Sequence, residues 1–306
     1  MAETVKRPIR ARRDKALVIA FYCFTALFAL FCLYPFLQIV ISSFSDENTL
    51  IRYGYTLFPK KMSLAAYKVI FATPEIPRAY GVTVLITIAG TALNLLVTAL
   101  AAYAVSGGKL KYRNVFNFFF YFTCLFSGGL VTLYILITNY LKLSDSLLVY
   151  IIPSMFNVWN MFLLRNFFNE IPPALLESAE LDGAGYLTIF AKVIFPLCKP
   201  IVAYVAVTSA VGQWMSFQDN LLLMTKPSLN TLEFMLYSYL NQAASLAAII
   251  QKNAGGLMLA SQQATQLMPA SVQMTVTVIV TLPILFVYPF FQRYFVAGIM
   301  IGAVKG

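Results

Sequence analysis

Six long runs that carry no charged residue constrain this chain more than any other feature of its sequence. The runs cover residues 16–41, 79–105, 114–141, 146–164, 200–218 and 270–292, and the fifth extends past Asp219 to about residue 222. The hydrocarbon core of a bilayer takes about 20 apolar residues of helix to cross. Because lipid offers no hydrogen-bond partners, a crossing segment must satisfy its own backbone, as a helix does. The sequence therefore predicts an all-α integral membrane protein with six transmembrane helices.

Composition excludes most soluble classes of protein. Hydrophobic residues make up 60% of the 306 residues and charged residues only 11%, whereas soluble domains average about 45–50% and about 25%. The chain has no histidine, which excludes histidine-dependent nucleophilic triads and histidine metal sites. It also has no G-x-x-x-x-G-K-[ST] motif, so we do not expect it to bind ATP itself. We predict a protein that is not an enzyme and has no metal site or cofactor of its own.

The distribution of Lys and Arg predicts the orientation. Basic residues flank the ends of spans that face the cytoplasm, and they are more numerous in the segments that an N-in, C-in arrangement places inside. We therefore expect a basic cytoplasmic N-terminus at 1–15, followed by a transmembrane domain at 16–306. The external loop at 223–269 contains a charge-free stretch, 234–251. Its Ser, Asn and Gln residues favour an amphipathic helix outside the bilayer over a seventh span.

A cytoplasmic segment at 165–199, between the predicted fourth and fifth spans, is the most acidic part of the chain. Pro172 and Pro173 suit the first turn of a helix, and Gly183 and Gly185 are expected to end it, since glycine accepts the left-handed conformation. A second short helix is expected from Tyr186 to Ile194. The segment therefore predicts a compact helix–turn–helix outside the membrane.

The order of residues in this segment resembles a known motif. Glu177-Ser178-Ala179, Asp182-Gly183-Ala184 and Val193-Ile194-Phe195-Pro196 are similar to the EAA loop of ABC importer permeases, whose pattern is E-A-A, three residues, G, nine residues, I-x-L-P. Ser178, Val193 and Phe195 depart from that pattern but preserve size or character. The spacing is preserved in full.

The resemblance implies a coupling helix that fits a cleft on a cytoplasmic ATP-binding subunit. By position it implies that Glu177 meets a basic group there, that Ser178 and Ala179 allow close packing, and that Gly183 supplies the turn. Asp182 is expected to belong to the same coupling site. The alternative is an amphipathic helix on the inner leaflet, which anionic lipid would disfavour because the segment is acidic.

The resemblance covers nearly the whole chain and points to carbohydrate uptake. The stretches 52–59 and 292–306 look like those of permeases that serve oligosaccharides, some of which contain uronic acids. By analogy with the related maltose permease, Val304, Lys305 and Gly306 are expected to reach between ATPase subunits. The family also implies a second, related permease, two ATP-binding subunits that hold ATP and Mg²⁺, and an extracellular solute-binding protein. All would assemble in the bacterial cytoplasmic membrane.

Aromatic faces, amides and hydroxyls bind sugars, and several lie in the predicted spans, where polar groups must face protein or a wet cavity. The substrate candidates are Trp159, Asn160, Trp214, Asn157, Tyr121 and Gln213. Gly128 and Gly129 are expected to permit a bend or a close helix contact in the third span.

Two alternative functions remain open. The first is an importer of polyamine or peptide, whose pathway for a cation would need carboxylates. The second is a self-sufficient secondary carrier, which would need an ion-coupling site.

Overall fold

The computed structural model describes residues 11–107, 110–252 and 270–303, and their regular structure is helical apart from one isolated bridge between Ser45 and Met62. The α-helices are α1 (Ala11–Ser43), α2 (Glu47–Tyr53), α3 (Ala65–Ala72), α4 (Glu75–Val105), α5 (Arg113–Leu125), α6 (Gly129–Ile135), α7 (Leu148–Ile151), α8 (Val158–Asn169), α9 (Pro173–Leu181), α10 (Tyr186–Ile189), α11 (Phe195–Leu197), α12 (Lys199–Trp214), α13 (Phe217–Leu223), α14 (Leu232–Lys252) and α15 (Ala270–Ala303). Leu136–Tyr140 and Phe190–Ile194 are π-helical and Pro227–Leu229 is a 3₁₀ turn. The expectation of an all-helical protein with membrane-spanning helices is confirmed.

Among the residues that the structure describes, three helices are long and apolar enough to cross a bilayer, namely Leu17–Ser43, Glu75–Val105 and Ala270–Val287. Two bent pairs bring the number to five if each pair is one span. The first pair, Arg113–Leu125 with Gly129–Tyr140, bends by 108°. Gly129 has a φ of 81° at this break, so the predicted bend at Gly128 and Gly129 is confirmed.

The run at 146–164 differs from a single helix. It forms α7 and α8, which are separated by residues 152–157. Pro153 lies in that gap and lacks the N–H that helix continuation requires, while Asn157 accepts a hydrogen bond from the backbone of Asn160 and so begins a new helix. The count of six spans and the orientation therefore stay predictions.

Two compact units divide the chain, Met1–Ile70 with Met268–Val278, and Phe71–Leu267 with Ile279–Gly306. In the first unit the carboxylate of Glu47 accepts hydrogen bonds from the backbone N–H groups of Ala270 and Ser271, both at 2.9 Å. An anion at this position satisfies free N–H groups at the start of α15 and complements its dipole.

In the second unit, α4 is the central helix and packs against α8 and α12. Its buried face includes Ala99, Ala102 and Val105, which join Met161 and Leu164 of α8 in one apolar core. Small side chains on α4 let neighbouring helices approach closely, as is common in membrane proteins. This core holds the two sites described below.

Candidate functional site

A polar cavity of about 460 Å³ lies within the second unit. It is lined by Asn94, Pro153, Ser154, Phe156, Asn157, Trp159, Asn160, Tyr204, Thr208, Ser209, Gly212, Gln213, Ser216 and Asp219. These residues come from α4, from the gap between α7 and α8, from the start of α8, and from α12 and α13. Amides, hydroxyls and an indole in one cavity are suited to a ligand that is rich in hydroxyl groups.

The start of α8 presents three of the substrate candidates. Asn157 is the N-cap residue, and its Oδ1 accepts a hydrogen bond of 2.9 Å from the backbone N–H of Asn160. The cap fixes the first turn of the helix, which places Trp159 with 66% of its surface exposed and buries Asn160. The exposed indole therefore stands at the cavity on a short, capped helix.

A hydrogen-bond network fixes the cavity wall. The side-chain amide of Asn94 donates to the carbonyl oxygen of Ser154 at 2.6 Å, and the hydroxyl of Ser209 donates to Oδ1 of Asn94 at 2.8 Å. The amide of Gln213 donates to the hydroxyl of Ser154. The network joins α4, the break between α7 and α8, and α12, so these elements hold one another in register.

Gln213 reaches Ser154 across a glycine of α4. A Cβ atom at Gly90 would lie 2.6 Å from Nε2 and 2.7 Å from Cδ of Gln213. Only a residue without a side chain leaves this path open, so Gly90 is required for the position of a cavity-lining amide.

Asp219 is the charged residue among the lining side chains that the structure describes. Within the described residues its carboxylate forms no ion pair and no hydrogen bond, and the salt bridge found there joins Lys61 and Asp46. A carboxylate can accept hydrogen bonds from two hydroxyl groups at once, and it also attracts cations.

Two of the six substrate candidates do not line this cavity. Trp214 is buried, donates from Nε1 to the carbonyl oxygen of Val280 at 3.0 Å, and meets Tyr80 edge to face. Tyr121 lies on α5, most of whose residues are exposed, and Tyr121 itself is exposed. The structure brings Asn157, Trp159, Asn160 and Gln213 together and leaves Trp214 and Tyr121 elsewhere.

Sequence reasoning missed Asn94, Ser154, Tyr204, Thr208 and Ser209. A signal for them exists in the helical period. Thr83, Thr87, Gly90, Asn94 and Thr98 recur every three or four residues along one apolar run, and Tyr204, Thr208, Gly212 and Ser216 do so along another. Such a stripe faces the protein interior rather than lipid.

The second site is the acidic elbow, which we define as residues 172–186. Pro173 begins α9 at a position where a missing N–H costs nothing. At the other end, the N–H of Gly183 donates to the carbonyl of Glu180, and the N–H of Ala184 donates to that of Ala179. Gly183 has a φ of 80°. This pattern is a Schellman motif, so the predicted role of Gly183 is confirmed, whereas Gly185 has a φ of −74° and begins α10 instead.

The second helix of the segment continues further than predicted. α10, the π-helical turn and α11 form an unbroken run through Pro196 to Leu197. Pro196 falls at the start of α11, and the run turns by 87° into α12 at Cys198. The π-helical turn changes the spacing of the backbone hydrogen bonds just before Pro196, whose nitrogen has no hydrogen to donate.

The outer face of the elbow is exposed and carries both charge and apolar surface. Glu177, Ser178 and Asp182 are exposed and Ala179 is half-buried. Leu181, at the tip, has 89% of its surface exposed. A short, capped helix that exposes a leucine beside carboxylates is suited to insertion into another protein.

Behind the elbow lies a mainly apolar groove of about 710 Å³, which is lined by Leu100, Tyr103, Phe168, Leu176, Tyr186 and Leu187 among others. Glu177 and Glu180 also line it. The elbow nevertheless packs against the core of α4 and α8 through Leu176, Ala179 and Ala184, and the groove lies beside that contact. Val304, Lys305 and Gly306 lie outside the described residues.

Comparison with known proteins places this geometry in a family. A family model described as "Binding-protein-dependent transport system inner membrane component" matches residues 100–301, which is more than half of the chain. The chain belongs to this family. The predicted resemblance to ABC importer permeases of the carbohydrate-uptake type is confirmed, as is the expected location in the cytoplasmic membrane, and the protein is a transport permease rather than an enzyme.

The permease is similar to two curated proteins of Bacillus subtilis (strain 168). It is 36% identical to Protein LplC over 272 residues, which cover 89% of each chain. It is 33% identical over 285 residues to the polygalacturonan/rhamnogalacturonan transport system permease protein YtcP, with coverage of 93% of this chain and 96% of the relative.

The permease also matches a solved structure, a bacterial ABC transporter involved in the import of the acidic polysaccharide alginate. The TM-score is 0.80 at 27% identity, and the match covers 94% of this chain and 100% of the other. The agreement in fold therefore extends along nearly the whole permease.

Proposed function

We propose that the permease translocates an oligosaccharide across the cytoplasmic membrane. Oligosaccharides that contain uronic acids are among the proposed substrates. Two of its relatives are named for the transport of acidic polysaccharides or related galacturonans. The cavity supports a sugar because Trp159 offers a stacking face and Asn157, Asn160 and Gln213 offer amides. Asp219 would repel a nearby uronate carboxylate, so the sugar unit at this end of the cavity is expected to present hydroxyl groups.

The energy for transport is proposed to come from partner subunits. Two ATPase subunits would bind ATP and Mg²⁺, a second and different permease would complete the pathway, and an extracellular solute-binding protein would deliver the sugar. In this arrangement the permease has six spans with both termini inside, and the elbow is cytoplasmic. The tail residues Val304, Lys305 and Gly306 would reach the ATPase pair.

The observation that carries the proposal is the exposed, capped helix α9. Closure of the ATPase subunits on ATP would move the helix as a rigid piece, because the Schellman motif at Gly183 fixes its end. Glu177 would pair with a basic group on the ATPase, and Ser178, Ala179 and Asp182 would pack beside it. The turn at Cys198 connects the same chain to α12, so motion of the elbow would reach the cavity wall at Gln213.

The test is ATP-dependent uptake by the reconstituted complex. Galacturonate oligomers and neutral arabino-oligosaccharides are supplied with the binding protein, and uptake by Glu177→Lys is compared with that by Glu170→Lys, which reverses an exposed charge at the end of α8. We expect Glu177→Lys to abolish uptake while the complex still assembles, and Glu170→Lys to retain it. Normal uptake by Glu177→Lys would contradict the proposed coupling.

A cationic solute is the second candidate, because Asp219 lines the cavity. A polyamine would be attracted by that carboxylate, and Asp219→Asn would then lower uptake of the polyamine. Sugar uptake that survives excess polyamine would exclude this candidate.

A further inference from the structure

Two arginines from different helices, Arg113 on α5 and Arg165 on α8, lie near each other in the second unit. Nη1 of Arg113, the first residue of α5, donates to the carbonyl oxygen of Gly107 at 3.4 Å. The backbone N–H of Gly107 donates to Oδ1 of Asn169 at 3.0 Å. Arg165 precedes Asn169 by one helical turn and shares its face of α8. Gly107 therefore connects Arg113 to α8 at a position one helical turn from Arg165.

The charges at this corner lack compensation. Within residues 11–107, 110–252 and 270–303, neither arginine forms an ion pair, and the buried Nε of Arg165 has no hydrogen-bond partner. Burial lowers the pKa of Arg165, and the nearby charge of Arg113 lowers it further. Guanidinium groups nevertheless stay protonated at neutral pH, so the corner holds two positive charges and an unused donor.

The adjoining surface is apolar. Phe116 and Phe119 on α5 are exposed, as are Val115 and Phe118. α5 is the first half of a bent helix pair that is long and apolar enough to be one membrane span. If the pair is a span, Arg113 lies where charged headgroups give way to hydrocarbon. The exposed Tyr112 beside it is of the residue type enriched at that interface.

We propose that Arg113 and Arg165 bind the phosphate group of an anionic phospholipid whose acyl chains lie along the exposed side of α5. The planar fork of a guanidinium matches phosphate oxygens and is the favoured phosphate ligand at such sites. Phosphate oxygens would accept hydrogen bonds from the guanidinium groups of Arg113 and Arg165, and the acyl chains would cover phenylalanines that a free anion leaves exposed. The inference requires the membrane location of α5 but not the identity of the transported solute.

The bound lipid would stabilise the position of the elbow. Asn169 lies just before Pro172 and Pro173, where the elbow begins. A headgroup that holds α5 against the end of α8 would therefore fix the base of the coupling segment, and anionic lipid would raise the thermal stability of the complex.

The test uses the complete importer in nanodiscs of phosphatidylcholine with and without phosphatidylglycerol. Native mass spectrometry measures the phosphatidylglycerol that survives delipidation, and a thermal scan gives the melting temperature. We expect Arg113→Gln/Arg165→Gln to reduce retention roughly tenfold or more, the effect of losing a charge-assisted hydrogen bond. The control, Arg78→Gln/Lys142→Gln, removes the same charge from exposed positions and should retain the lipid.

Three results would overturn the inference. The first is equal retention by the double variant and the control. The second is the same rise in melting temperature when inorganic phosphate is added to phosphatidylcholine discs, which would indicate a site for free anions. If the double variant fails to assemble, the single variant Arg113→Gln replaces it, and unchanged retention of phosphatidylglycerol by this variant is the third. None of these readouts depends on sugar uptake, so failure here is distinct from failure of the proposed function.

Discussion

Gly90 on α4 leaves room for the side chain of Gln213 on α12. A methyl group in its place would lie 2.6 Å from Nε2 of Gln213, well inside van der Waals contact. The amide that passes through this gap donates to Ser154 and lines the cavity. The absence of a side chain on one helix therefore sets the position of a polar group on another.

Gly90→Ala is expected to displace the side chain of Gln213 and to break its hydrogen bond to Ser154, which costs about 0.5–1.5 kcal/mol, and to raise the KM for sugar. Gly81→Ala is the matched control, since a Cβ there meets nothing within 4 Å. Melting temperature and uptake kinetics check both variants. The pair Gly90→Ala/Gln213→Ala should be no less stable than Gln213→Ala alone, and additive losses would count against the contact.

Trp159→Ala should raise the KM for uptake by about 2- to 10-fold, because stacking on an aromatic face contributes about 0.5–1.5 kcal/mol. The melting temperature should change little, since the indole is mostly exposed. Trp214→Phe should lower the melting temperature and leave the KM nearly unchanged, because the buried indole loses its hydrogen bond to Val280. A larger effect of Trp214→Phe on KM would return that residue to the substrate pathway.

Gly183→Ala is expected to uncouple ATP hydrolysis from uptake. Its φ of 80° costs a residue with a side chain about 1–2 kcal/mol, so the end of α9 would fray. Gly185→Ala provides the comparison, because its φ of −74° suits any residue. The ratio of ATP hydrolysed to sugar transported should rise for the first variant alone, and equal ratios would show that the turn is not required.

Asp145 joins two loops. Its carboxylate accepts hydrogen bonds from the backbone N–H and the hydroxyl of Thr225, at 2.6 and 2.7 Å, and from the N–H of Lys226 at 3.1 Å. The bond from the Thr225 hydroxyl is the main reason that the pKa of Asp145 lies below its ordinary value of 3.8.

Because the folded pKa is lowered, the stabilisation is complete above the ordinary pKa and is lost as the pH falls through the folded value. Asp145→Asn should therefore speed hydrogen exchange of the Thr225 and Lys226 amides at neutral pH. Lowering the pH from 8 to 6 should leave their protection relative to intrinsic exchange unchanged in the wild type. Ser144→Ala, next to it and exposed, should match the wild type, and a pH effect in the range 6–8 would contradict the assignment.

Sequence patterns predicted the elements whose causes are local. The run at 79–105 became α4, and Gly183 ended α9 as its conformational freedom requires. The bend at Gly128 and Gly129 also followed from the residues themselves. In each case the deciding interaction lies within one or two helical turns.

The features that the sequence patterns did not predict depend on contacts between distant parts of the chain. Asn94 meets Ser154 and Ser209 only because α4 lies between α7 and α12, and composition does not show that order. Trp214 resembled Trp159 as an aromatic group in a span, yet one faces Val280 and the other the cavity. The break at residues 152–157 was missed because the run carries no charge, although Pro153 and Asn157 were a usable signal.

Site-directed crosslinking of the elbow to the ATPase is the most direct test of the central claim. In a version whose four native cysteines, Cys23, Cys32, Cys124 and Cys198, are replaced, a cysteine is introduced at Ser178 or at Ala179, with Ser144→Cys as a control on a different loop. The account predicts a crosslink to the ATPase subunit from the elbow, with a yield that changes on addition of ATP, and none from residue 144. Failure of both elbow positions with linkers of several lengths, in a complex that hydrolyses ATP, would contradict it.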